Sequence, residues 1–254
     1  MKIGIFSDSH YSSVKVNGNR YNSQSLRKIK EAYDLFKKEE CELVVCLGDL
    51  IDTEPTQEKE ISNLREIAQV IRASGMQTVC VMGNHDAFAL TPETFYETLG
   101  FSHVEELSVD GRRLLFLDAC YFKDGRHYAP GDSDWTDTFF PAEKELREKL
   151  SEGSQDTYIF VHQSIDPAIR RDHRIFNADS LVTTIRESGK VKTVFQGHYH
   201  PGIESEYDGI RYITLPAMCE QENAYFIRFR QQNNNKKTRH PNIFKKFFHF
   251  IEIV

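Results

Sequence analysis

Five short polar pieces of this chain carry residue types that bind metal ions, and each comes just after an apolar run. Asp8-Ser9-His10 follows Lys2–Phe6, Gly48-Asp49 follows Leu43–Leu47, and Gly83-Asn84-His85-Asp86 follows Thr78–Met82. Later, His162 follows Tyr158–Val161, and Gly197-His198-Tyr199-His200 follows Lys192–Phe195. In an extended chain residues two apart point to one side, so Asp8 with His10 and His198 with His200 can each present a pair of donors. Glycines at 48, 83 and 197 allow a sharp turn and leave room near the main chain. The pooled donors are carboxylates, imidazoles and one amide without a thiolate, a set suited to manganese, iron, zinc or nickel rather than calcium. Seven donors exceed one tetrahedral site. Two divalent ions about 3.5–4 Å apart, sharing a bridging carboxylate, are the economical arrangement. Taken singly, an Asp-x-His or a buried histidine is ordinary turn or core chemistry; the weight lies in five pieces that all follow strand-like runs.

These runs are short and several are rich in valine and isoleucine, which predicts buried strands. Leu26, Ile29, Tyr33 and Phe36 share one helical face, and Ile61, Leu64, Ala68 and Ile71 another. The first half therefore reads strand, helix, strand, helix, strand. In the second half Asp110-Gly111 and Asp208-Gly209 each separate two strand-like runs, as in tight β-hairpins. Pro141 is expected to open a helix through Leu150, and Asn177 to cap another reaching about Ser188. A mixed α/β sandwich fits better than a purely parallel sheet. In open α/β sheets, sites gather at the carboxyl ends of strands.

In order and spacing, Asp8-x-His10, Gly48-Asp49, Gly83-Asn84-His85-Asp86, His162 and Gly197-His198-x-His200 resemble the signature of the calcineurin-like metallophosphoesterases. The resemblance runs from residue 3 to about 230. It implies a four-layer αββα sandwich with two mixed sheets and a binuclear metal centre. Asp8, His10, Asp49 and His200 would hold one ion; Asp49, Asn84, His162 and His198 the other, with Asp49 bridging. It further implies attack on phosphorus by a metal-bridging hydroxide, with His85 beside the leaving group as general acid or charge stabiliser and Asp86 orienting its imidazole.

The turn Gly197–Gly202, the hairpin after it, and Leu117-Asp118 leading into an insertion resemble the branch of cyclic-nucleotide phosphodiesterases and manganese-dependent ADP-ribose/CDP-alcohol diphosphatases. That implies a small, nucleotide-like diester or pyrophosphate as substrate. Residues 119–140, with Tyr121, Phe122, Arg126, His127, Tyr128 and Trp135, match neither group. This insertion and the Tyr11–Tyr21 loop are the expected walls, with Tyr11, Arg20, His127 and Trp135, besides Asn84, as candidate substrate contacts. Packing of the aromatic residues onto the domain is the plainer alternative.

The 254 residues suit one catalytic domain, 1–230, followed by 231–254, a polar linker and a basic, aromatic tail. A net charge of −6 disfavours long nucleic acid as partner. No run approaches the roughly 18 apolar residues of a membrane-spanning helix, and the first strand meets Ser7-Asp8 too early for a secretory signal. With 5 cysteines lacking zinc spacing and read as buried thiols, a cytoplasmic protein is expected. In the tail, Ile243, Phe247, Ile251 and Val254 would share one helical face, docking on the protein itself, a partner or a membrane surface. A phosphomonoesterase, a nuclease, a protein phosphatase and a non-catalytic scaffold are the rival readings. The scaffold has no support, since every expected ligand is present.

Overall fold

Apolar side chains alternate along the strands and sort themselves into layers. The structure is a computed structural model and describes residues 1–220, 227–230 and 249–252. Strand β1 (Lys2–Phe6) is followed by helix α1 (Ser25–Lys38), β2 (Leu43–Cys46), helix α2 (Gln57–Ser74) and β3 (Thr78–Cys80). Two short helices come next, α3 (Asn84–Ala89) and α4 (Pro92–Leu99). The hairpin β4 (Glu106–Val109) and β5 (Arg112–Leu117) leads through the insertion to α5 (Glu143–Ser151), β6 (Thr157–Val161), α6 (Ala178–Ser188) and β7 (Val191–Gln196). The hairpin β8 (Ile203–Tyr207) and β9 (Ile210–Thr214) follows, and then β10 (Ile227–Arg230) and β11 (His249–Glu252).

Two mixed sheets result, one in the order β10-β11-β1-β2-β3 and the other β4-β5-β6-β7-β9-β8. Ile3, Ile5, Leu43, Val45 and Val79 of the first sheet face Leu114, Phe116, Tyr158, Phe160 and Ile213 of the second. The rings of Phe116, Phe160 and Phe195 stack in a row at 5.1 Å between centroids. Outward from the first sheet, Phe6, Val44 and Cys46 pack with Ile29, Tyr33 and Phe36 of α1 and Leu64, Ala68 and Ile71 of α2. Outward from the second, Leu115, Leu117, Ile159 and Val161 pack with Leu146 and Leu150 of α5 and Leu181 and Ile185 of α6. Helix, sheet, sheet, helix is the αββα sandwich that the resemblance implies. Each strand that is buried on both faces reads as a nearly continuous apolar run.

Both aspartate-glycine turns form as the hairpin reading requires: Asp110, Gly111, Asp208 and Gly209 all have positive φ, the left-handed geometry that matches strand twist. Pro141 lies two residues ahead of α5 rather than opening it. Asn177 does sit at the N-cap of α6, but its side chain does not cap the helix. Its Oδ1 accepts from the Phe140 amide and its Nδ2 donates to the Phe140 carbonyl, so it pins the end of the insertion instead.

In register, Lys2 pairs with Glu252 and Gly4 with Phe250, which places His249–Glu252 antiparallel to β1, between it and β10. Ile251 is thus in a strand, not on a helical face: β1 leaves an edge of backbone donors and acceptors that an extended segment satisfies. Ile243, Phe247 and Val254 lie outside the described residues. Among the described residues, no helix is long and apolar enough to cross a membrane.

Candidate metal centre

The parallel strands end level. Phe6 pairs with Cys46 and Cys46 with Cys80 in one sheet, while Leu117, Val161, Gln196 and Thr214 are in line in the other. The turns after β1, β2, β3, β6 and β7 therefore open at one end of the sandwich, where all seven expected ligands meet. His10 Nε2 lies 3.4 Å from Asp49 Oδ2, 3.9 Å from Asp8 Oδ1 and 3.2 Å from His200 Nε2. His200 Nε2 is 3.5 Å from Asp8 Oδ1. On the other side His162 Nε2 is 3.2 Å from the same Asp49 Oδ2, and Asp49, His162 and His198 offer donor atoms within 4.8 Å of one another. Asp49 stands between the two groups.

The backbone is bent to achieve this. Asp8, His10, Asp49 and His198 have φ of 55°, 43°, 51° and 65°, a region that side-chain-bearing residues rarely occupy. Such geometry persists at sites where the surroundings over-determine it. Two glycines make the space: a Cβ at Gly83 would fall on the Asp49 carboxylate and backbone nitrogen, and one at Gly197 on the Ser7 hydroxyl. At Gly83 and Gly197 the requirement is close approach, not φ.

Four of the donors, Asp8, Asp49, His162 and His200, are aimed by a second bond. The His85 amide donates to Asp49 Oδ1 at 2.8 Å, leaving Oδ2 to face the imidazoles. The His198 amide donates to both Asp8 oxygens at 3.2 Å. His162 Nδ1 donates to the Leu47 carbonyl at 2.6 Å and His200 Nδ1 to Glu220 Oε1 at 2.6 Å, so in both rings Nε2 is the atom turned to the site. Burial, with the neighbouring imidazoles, holds His10 and His198 well below the usual histidine range, as neutral ligands require. Burial would raise the Asp49 carboxyl, yet His162, His85 and His10 together hold it well below the usual carboxylate range.

Asn84 Oδ1 and His162 Nε2 are buried without a hydrogen-bond partner. An orphaned buried acceptor such as Asn84 Oδ1 costs about 1–3 kcal/mol, and its place beside a carboxylate shared by two groups of imidazoles fits a pair of cations. The residues present thus suit the binuclear group that the motif implies.

His85 is oriented by a residue other than the expected Asp86. The Asp86 carboxylate is spent on backbone amides, accepting from Leu50 and Ile51 through Oδ1 and from Gly83 through Oδ2. It braces the turns after β2 and β3 and is fully buried; burial and the charge of Asp49 push it up to about 7. Asp86 follows His85 directly in a helix, so the two side chains diverge. Asp52 takes the role instead, with Oδ1 3.1 Å from His85 Nδ1, while its Oδ2 accepts from Asn22 at 2.8 Å and Arg20 at 3.0 Å. Its only sequence signal is a second aspartate three residues after Asp49.

A cavity of about 410 Å³ opens over this floor, lined among others by Arg20, Trp135, Arg170, His173, Tyr199 and Glu220. The Trp135 ring is 5.4 Å from that of His198 and 5.1 Å from that of His173. Of the expected wall residues Arg20 and Trp135 are here; Tyr11 and His127 are not. Tyr11 donates its hydroxyl to Glu66 of α2 at 2.7 Å, drawn outward by that carboxylate. His127 sits 3.1 Å from Asp118 and lines a separate cavity of about 880 Å³ with Tyr96, His103 and Tyr121. Arg170, His173 and Glu220 were not foreseen, since they come from loops with no motif of their own.

The family model for calcineurin-like phosphoesterases matches residues 1–202. No curated protein matches the chain by sequence. Among solved structures, a dimetal phosphatase from Danio rerio superposes with a TM-score of 0.75 at 18% identity, covering 87% of this chain and 88% of that one. The phosphopantetheinyl hydrolase of Mycobacterium tuberculosis gives 0.51 at 12% identity, covering 86% and 90%. The purple acid phosphatase PPD1 from Lupinus luteus seeds gives 0.54 at 15%, covering 92% and 46%. At such identities the likeness is one of fold, whereas the family model spans most of the chain and all five ligand-bearing pieces. The chain belongs to the calcineurin-like phosphoesterases, metal-dependent hydrolases of phosphoric esters.

Proposed function

We propose that this protein hydrolyses a small, nucleotide-like phosphodiester or pyrophosphate, using two divalent ions drawn from manganese, iron, zinc and nickel. The observation that carries the reading is the orphaned acceptor Asn84 Oδ1 together with the Asp49 carboxylate shared by His10 and His162, on the floor of a cavity walled by Trp135 and His173. Asp8, His10, Asp49 and His200 would hold one ion; Asp49, Asn84, His162 and His198 the other. When bound, the ions supply Lewis-acid stabilisation of phosphoryl oxygens and lower the pKa of a water.

The chain's own residues do the rest. Asp52 points the imidazole of His85 towards the cavity, where its Nε2 can give a proton to the leaving oxygen. Burial works against a proton on that ring, but Asp49 and Asp52 outweigh it and hold His85 above the usual histidine range. Arg20 and Asn22 fix Asp52 in turn, so the orientation of His85 is set before substrate arrives. Trp135 offers an aromatic face to a base, and Arg170 a guanidinium at the rim to a second phosphate or ribose. A cavity of about 410 Å³ suits a mononucleotide-sized ligand rather than a polymer.

The test is an assay of purified protein with manganese, iron, zinc and nickel against cyclic nucleotides, nucleoside diphosphate esters, aryl diesters and monoesters, with Asp49→Asn as control. Turnover of diesters or pyrophosphates that is abolished in the control supports the reading. A clear preference for monoesters overturns it, and no turnover with any metal would point to a binding scaffold.

A further inference from the structure

Four of the five cysteines behave as small apolar residues. Cys41, Cys46, Cys80 and Cys120 are packed into the core between the first sheet and its helices. Cys219 is equally buried but stands elsewhere, with its Sγ within 4.8 Å of ring nitrogens of both His10 and His200. The surrounding backbone leaves it little freedom. The Cys219 amide donates to the Asp8 carbonyl at 3.0 Å, and its own carbonyl accepts from the Tyr21 amide at 2.8 Å. The buried Lys28 ammonium donates to the Met218 carbonyl at 2.9 Å, and the Ala217 amide to the His200 carbonyl at 2.9 Å. The segment is thus bonded directly to Asp8 and His200, two of the four residues read as ligands of the first ion.

The next residue, Glu220, is the acceptor that turns His200 Nε2 inward. One short turn, Met218–Glu220, therefore supplies both the carboxylate that aims His200 and a thiol beside it. His10, on the other side of the thiol, is fully buried, with its Nδ1 3.9 Å from Asp52 Oδ2 and its Nε2 turned to Asp8, Asp49 and His200; the thiol thus has two imidazoles within reach rather than an apolar wall.

We infer that Cys219 is a thiolate donor to the first ion, a fifth protein ligand beside Asp8, His10, Asp49 and His200, and that this half of the site prefers thiophilic ions such as zinc, iron or cobalt to manganese. The inference rests on the two-ion reading above. On coordination the S–H bond breaks, the proton passes to water, and a sulfur lone pair forms the metal–sulfur bond; no oxidant or reductant is involved. The second half of the site, with Asn84, His162 and His198, has no sulfur and keeps no such preference.

The experiment is cobalt substitution of the full chain, read by near-ultraviolet absorption and metal counting, with Cys219→Ser and the core variant Cys41→Ser. The unaltered chain should bind two cobalt ions and show a thiolate-to-cobalt charge-transfer band. Cys41→Ser should keep the band. Cys219→Ser should lose it, still bind cobalt, and release zinc to a chelator about tenfold more readily or beyond. Two bound cobalt ions without the band in the unaltered chain overturn the inference, whether or not the variants fold, and so does a band that survives Cys219→Ser. Fewer than two bound cobalt ions in the unaltered chain would sink the proposed function as well.

Discussion

The floor of the cavity and its wall are held in different ways. On the floor, donors leave the ends of buried strands; four are bent into place by backbone of positive φ, and Asp8, Asp49, His162 and His200 are aimed by a second hydrogen bond to a carbonyl, amide or carboxylate. On the wall, Trp135, Arg170 and His173 come from loops. Trp135 lies against the rings of His173 and His198, and the Arg170 guanidinium pairs with Asp172 at the surface. Parts fixed by two interlocking sheets define what reaction is possible; parts hung on loops are free to change what is bound.

Substitutions can break that comparison in order of expected effect. Asp49→Asn takes away the carboxylate shared by both halves of the floor, so activity should fall by about 10⁴-fold or more, and metal analysis should find the centre depleted. His85→Ala leaves the ligands in place. It should retain the metal of the unaltered chain while kcat drops about 10²- to 10⁴-fold, and an empty centre would show that His85 is a ligand after all. Glu220→Gln frees the His200 ring from its carboxylate and should weaken metal retention about 10- to 100-fold, seen by chelator titration. Trp135→Ala should raise KM about tenfold for base-bearing substrates, an effect of roughly 1–3 kcal/mol, with metal content unchanged. The same change at His127, on the other side of the insertion, should leave KM alone. Equal effects of the two would erase the distinction between a wall residue and the rest of the insertion.

The same division explains what was legible in the sequence. Asp8, His10, Asp49, Asn84, His162, His198 and His200 could be read because each follows an apolar run, and strand ends in a layered sheet must gather. The layers were readable because alternation and helical stripes are written locally. Asp52 and Glu220 act through contacts that only folding creates: Glu220 meets His200 from 20 positions away, and nothing near it marks it. Asp86 shows the opposite error, since sequence adjacency to His85 suggested a partnership that the helix forbids. Tyr11 and His127 were plausible as wall residues by type, but each finds a nearer carboxylate, Glu66 or Asp118, that takes its polar atom away from the cavity.

The left-handed backbone at Asp8, His10, Asp49 and His198 also says something about how such a chain can age. A side chain held there costs roughly 1–2 kcal/mol relative to a relaxed conformation, less for aspartate, and four together take a sizeable share of the roughly 5–15 kcal/mol by which a folded protein outlasts its unfolded state. Glycine would relieve the strain at every one of them. A population of variants selected for heat resistance alone, with no demand for turnover, should therefore exchange these four positions early. The catalytic centre is where inheritance without use would first wear away.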